Sequence, residues 1–204
     1  MLWEAHVTVA DKNGDEVERW RSWCERVSVK PLYIELTTGE HRKQLMFAAR
    51  WEGGTEFGRH WLNDLSGEVM SAGFEVLREK LECPLDKAYG LAGGENSYSE
   101  CHMKLMLPAS VAERVVAKVC GQANVHGSRN LLADQDGLQK WYLTQRDHDR
   151  TYVSDVYHSA SMFNRALAQV QQVHPAVRME MEFVFHDSNP RLDAGWAERD
   201  RGRR

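Results

Sequence analysis

Two histidines sit in short stretches that resemble one another, Glu4-Ala5-His6-Val7-Thr8-Val9 and Glu100-Cys101-His102-Met103-Lys104-Leu105. In each, a carboxylate precedes the imidazole by two positions, and a hydroxyl or an ammonium follows it by two. A period of two places each polar set on one face of a strand, opposite Trp3, Ala5 and Val7 in one case and Cys101, Met103 and Leu105 in the other. Two imidazoles on opposite sides of one phosphorus can act as general base and general acid. Thr8 and Lys104 would then steady the non-bridging oxygens, while Glu4 and Glu100 orient the rings or raise their pKa. Arg50, Arg78, Arg146 and Arg178 offer positive charge for phosphate oxygens. A second chemistry uses His6, Glu82, His102 and Glu182, two His/Glu pairs able to hold a divalent metal. A third needs no turnover: the same cations sequester a phosphate-bearing ligand or dock a partner.

The frame around these residues is ordinary for a soluble globular chain. Of 204 residues, 42% are hydrophobic and 27% charged, enough for a sizeable core. A net charge of −4 excludes a general basic field for nucleic acid. No apolar run approaches the ~18 residues that span a bilayer, so no membrane is expected. The start of the chain lacks a charged-then-apolar leader, and a cytoplasmic location is expected. Cys24, Cys83, Cys101 and Cys120 have no CxxC spacing and fall in apolar patterns, which reads as reduced core thiols.

Periodicity supplies the elements that must position the polar sets. Strands are expected at 2–9, 30–37, 44–51 and 74–83, with helices over 15–27 and from Thr55 to the glycine at 73. The glycine-rich stretch 84–96 reads as a linker. The pattern then restarts: strands at 98–107, 125–133, 139–146 and 177–185, helices from Pro108 to Gly121 and over 154–173. Residues 188–204 read as a charged tail. The order strand–helix–strand–strand–helix–strand occurs twice, so the fold expected is α+β, two ferredoxin-like repeats over 1–83 and 97–187. Their open sheet faces are expected to turn toward one another about a pseudo-two-fold axis and enclose a polar cleft.

His6-Val7-Thr8 together with the bilobal plan resembles the two-histidine (LigT-like) phosphoesterases, whose signature is His-x-Thr or His-x-Ser in each half. His102-Met103-Lys104 keeps the histidine and departs at the third position. The resemblance implies a hydrolase acting on, or binding, a nucleotide or RNA-end phosphate without a cofactor, through His6 and His102. The His/Glu quartet is similar to that of duplicated glyoxalase-like metalloenzymes, although their repeats have three consecutive strands after one helix. Glu100-Cys101-His102-Met103-Lys104 also resembles the Glu-x-Glu-x-Lys strand of triphosphate-tunnel enzymes.

Overall fold

A computed structural model describes residues 1–196 apart from 12–13, 89, 92, 94–95, 124, 135 and 149–177. The strands are β1 (Leu2–Val9), β2 (Lys30–Leu36), β3 (Lys43–Glu52), β4 (Val76–Pro84), β5 (Tyr98–Pro108), β6 (His126–Asn130), β7 (Leu138–Asp147) and β8 (Arg178–Asp187). The helices are α1 (Val17–Arg26), α2 (Thr55–Ser71) and α3 (Ala109–Ala123). The helix expected over 154–173 lies outside the described residues. No helix among those described is long and apolar enough to cross a membrane.

The arrangement of the strands overturns the expected pair of ferredoxin-like repeats facing each other across a cleft. All eight strands form one closed antiparallel barrel, in the order β1-β3-β2-β6-β7-β5-β8-β4. Each half contributes four consecutive strands, and the halves join edge to edge. One seam pairs β2 with β6, setting Glu35 against Arg129 and Leu36 against Ser128. The other pairs β4 with β8, with a register shift between Leu81 and Glu82. Closure satisfies the backbone groups that two separate sheets would leave exposed at their edges. Alternation specifies which side chains share a face. It carries no information on whether edge strands pair, and that pairing decides between a cleft and a barrel.

The barrel is apolar outside and polar inside, except along β2 and β3, where Leu32, Ile34, Leu36, Met46 and Ala48 line the interior. Trp3, Ala5 and Val7 of β1, Leu45 and Phe47 of β3 and Leu81 of β4 face outward and are fully buried beneath Trp20, Trp23 and Cys24 of α1 and Leu62, Leu65 and Val69 of α2. Met103, Leu105 and Leu107 of β5 and Leu143 of β7 pack under Ala112, Val116 and Val119 of α3. All four cysteines are free, and burial pushes the thiols of Cys24 and Cys83 up to about 12 and those of Cys101 and Cys120 up to about 11. The helices thus cover the apolar outside, and period two sends the other set of side chains into the barrel.

Residues 188–196, read from sequence as part of a tail, instead plug one end of the barrel. Asp193 is buried and accepts from Gln44 of β3 at 2.8 Å, Arg78 of β4 at 2.8 Å and Arg146 of β7 at 2.6 Å. Trp196 packs on Leu36, and its Nε1 donates to the Gly127 carbonyl at 3.0 Å. The turn between β2 and β3 meets the plug at Gly39, where φ is +105° and an added Cβ would stand 3.0 Å from the Ala194 carbonyl oxygen. A side chain there would be both strained and obstructed.

Candidate ligand-binding site inside the barrel

The polar set read from the strand alternation lines one cavity of about 170 Å³. Glu4, His6 and Thr8 reach it from β1, Arg50 from β3, Arg78, Lys80 and Glu82 from β4, and Glu100, His102 and Lys104 from β5. Arg146 comes from β7 and Glu180 and Glu182 from β8. Arg178 is in register with Lys104, but its side chain lies outside the described residues.

The cavity has a floor, a middle and a mouth. At the floor, Arg78 donates to Asp187 at 2.9 and 2.5 Å and to Asp193, and Tyr98 donates to Asp187 at 2.8 Å. Arg146 donates to Glu100 as well as to Asp193, and Thr8 lies buried in register with Arg78. Facing arginines hold the carboxyls of Asp193 and Glu100 well below the usual range despite their burial. Arg78 and Arg146, expected to bind ligand, are therefore committed to protein carboxylates.

In the middle, Lys80 reaches Glu82 at 2.6 Å and Glu100 at 2.9 Å, joining the two halves. His6 Nε2 lies 2.9 Å from Glu82 Oε1 and 3.8 Å from Glu4 Oε1. His102 is held from three sides, with Nδ1 on Thr144 Oγ1 at 2.9 Å and Nε2 at 3.2 Å from Glu100 and 3.3 Å from Glu182. Burial opposes charge on the His102 ring, but Glu100 and Glu182 outweigh it and raise the pKa to about 10. The Glu182 carboxyl moves up, through burial and the nearby Glu82 carboxylate.

At the mouth, Arg50 is 57% exposed and binds Glu4 at 2.6 Å. Lys104 pairs with Glu180. The ammonium groups of Lys104 and Lys140 stand 5.9 and 5.7 Å from the centre of the Tyr142 ring. Burial lowers the pKa of Lys140, and the charges of Lys30 and Lys104 lower it further. Neither Lys30 nor Lys140 forms an ion pair among the described residues.

The sequence reading missed Gln44, Asp193, Trp196 and Lys30, together with Ser128 and the apolar wall of Leu32, Ile34, Leu36, Met46 and Ala48. Parity could have found Gln44, since Leu45 and Phe47 face outward, and Lys30 likewise leads β2. Asp193 and Trp196 belong to a single helical turn and its exit, where no period applies.

The expected hydrolase assignment fails with the bilobal fold it depended on. A His/His acid–base pair needs two imidazoles titrating near neutrality. His102 is instead held between the Glu100 and Glu182 carboxylates, which raise its pKa to about 10 against the effect of burial. The His6, Glu82, His102, Glu182 quartet does not converge on one point either. His6 pairs with Glu82 and His102 with Glu182, and the group that converges among the described residues is Glu4, His6 and Glu82.

No protein-family profile matches the chain, and no curated protein matches it in sequence. Among solved structures, it is similar to a proposed monooxygenase from Fusobacterium nucleatum subsp. nucleatum, with 8% identity, TM-score 0.35, 91% of this chain and 93% of that chain covered. A proposed monooxygenase from Lactobacillus acidophilus overlaps at 8% identity and TM-score 0.33, covering 91% and 94%. A mutant chlorite dismutase from Candidatus Nitrospira defluvii overlaps at 12% identity and TM-score 0.29, covering 94% and 92%.

Proposed function

We propose that the barrel interior binds a small phosphate-bearing ligand, which enters through the mouth. The observation that carries this reading is the placing of Lys30, Lys104 and Lys140 together on the cavity lining, with the Lys140 pKa lowered by burial and then by the charges of Lys30 and Lys104. Like charges held together cost free energy until an anion joins them. Lysine ammoniums around an open rim suit a multiply charged phosphate, and the exposed guanidinium of Arg50 can add a forked contact. The plugged floor favours a small ligand that enters and leaves by one end over a polymer threaded through.

Calorimetry on the full chain tests this with inorganic phosphate, pyrophosphate, nucleoside mono- and triphosphates and a dicarboxylate control, all in chelator. The phosphates are expected to bind and to weaken with added salt. Lys30→Ala and Lys140→Ala should each cost about tenfold, the worth of one charge-assisted hydrogen bond. Absence of binding by every phosphate, or affinities unchanged in both variants, would overturn the reading.

A further inference from the structure

The two carboxylates beside His6 are arranged differently from the other acids of the cavity. Glu4 has Oε2 clamped by Arg50 at 2.6 Å, and Glu82 has Oε2 in an ion pair with Lys80 at 2.6 Å, without a hydrogen bond of its own. In both, the remaining oxygen, Oε1, is turned toward His6 Nε2, at 3.8 and 2.9 Å. The ligand atoms of the three residues lie within 4.8 Å of one another. Donors about 2.0–2.2 Å from one metal ion stand roughly 3–3.5 Å apart, so this spacing is close to a coordination triangle. The clamps act as outer partners that fix each ligating group, as the surroundings of metal ligands commonly do.

The equivalent group in the second half cannot do this. Glu100 has one oxygen on Arg146 and the other shared by Lys80 and His102. The His102 ring is bonded at both nitrogens. His6, by contrast, has a buried Nδ1 with no partner and is held through Nε2, whose proton Glu82 Oε1 accepts at 2.9 Å and a metal ion would displace. His6 and Glu4 are also 16% and 17% exposed to the cavity, which leaves room for water to complete the coordination.

We infer that Glu4, His6 and Glu82 form a binding site for one divalent first-row transition ion. A set of two carboxylate oxygens and one imidazole nitrogen suits ions of the Mn²⁺ to Zn²⁺ series better than Mg²⁺ or Ca²⁺, which take oxygen ligands. The inference is independent of the phosphate reading, because it concerns the metal alone.

The test is a titration of the chelator-stripped full chain with Mn²⁺ and with Zn²⁺, without any anionic ligand, followed by calorimetry and, for Mn²⁺, by pulsed electron paramagnetic resonance. One equivalent is expected to bind, with a nitrogen coupling from a coordinated imidazole. His6→Ala should abolish that coupling and weaken binding by about tenfold or more, and Glu82→Gln should weaken it comparably. Should Glu82→Gln fail to fold, Glu4→Gln carries the same test, since its partner Arg50 is mostly exposed. His102→Asn should leave the nitrogen coupling in place. Binding that survives His6→Ala unchanged, a coupling lost in His102→Asn but kept in His6→Ala, or no binding of either ion up to about 1 mM would overturn the assignment.

Discussion

Glu4–Arg50 and Glu100–Arg146 are the same pair of residue types in the same register, β1 against β3 in one half and β5 against β7 in the other. Their circumstances are opposite. Arg50 is 57% exposed at the mouth, whereas Arg146 is 7% exposed at the floor, sharing Asp193 with Arg78. The reason is geometric. β1 and β5 run in opposite directions around the closed sheet, so the axis relating the halves crosses the barrel and does not run along it. Positions matched by the repeat therefore fall at opposite ends. One copy of each motif is buried at the floor and the other is left at the mouth.

The largest expected effect breaks the buried copy. Glu100→Gln removes the carboxylate shared by Arg146, Lys80 and His102, and should destabilise the chain by about 3–5 kcal/mol in urea unfolding. A cost below about 1 kcal/mol would mean that the floor is not the structural end.

The next effect separates the two histidines. His102 has its pKa raised from 6.5 to about 10 in the folded chain. The charged form is thus favoured by folding. Its contribution is complete below the unfolded value and is lost as pH rises through about 10. Unfolding midpoints should fall between neutral pH and that range by the equivalent of ~2–4 kcal/mol. His102→Asn should flatten this dependence and His6→Asn should leave it intact.

The smallest effect sharpens the contrast from the open side. Glu4→Gln loses only a pair with a largely exposed arginine, and its cost should stay within about 1 kcal/mol by the same unfolding measurement. If Glu4→Gln and Glu100→Gln cost the same, the asymmetry between the ends is not energetic.

The strands and the faces they present were legible in the chain, although the closed barrel they form was not. Alternation at Glu4, His6 and Thr8, at Arg78, Lys80 and Glu82, and at Glu100, His102 and Lys104 identifies side chains that do share one cavity, because period two is a local property of extended backbone. Helical spacing of Trp20 and Cys24 likewise located the covering face of α1, to which the structure adds Trp23. Three things were not legible. Edge pairing of β2 with β6 and of β4 with β8 depends on contacts far apart in sequence. Asp193 and Trp196 act from irregular backbone, where no pattern marks them. The fates of Arg50 and Arg146, alike in sequence, are set by the direction of an axis that no single repeat contains.

The seam between β4 and β8 and the plug beyond it have a consequence for the order of assembly. Arg78 meets Asp187 and Asp193 across 109 and 115 residues of chain. Contacts of such sequence separation carry a high loop-closure entropy and form slowly. During synthesis β1 to β4 emerge well before β8, and through that interval β2 and β4 are unpaired edges. On β4, Arg78, Lys80 and Glu82, which later line the cavity, discourage that edge from annealing to another chain while it waits. The charge that β4 turns into the finished barrel thus also keeps the half-made one apart from its neighbours.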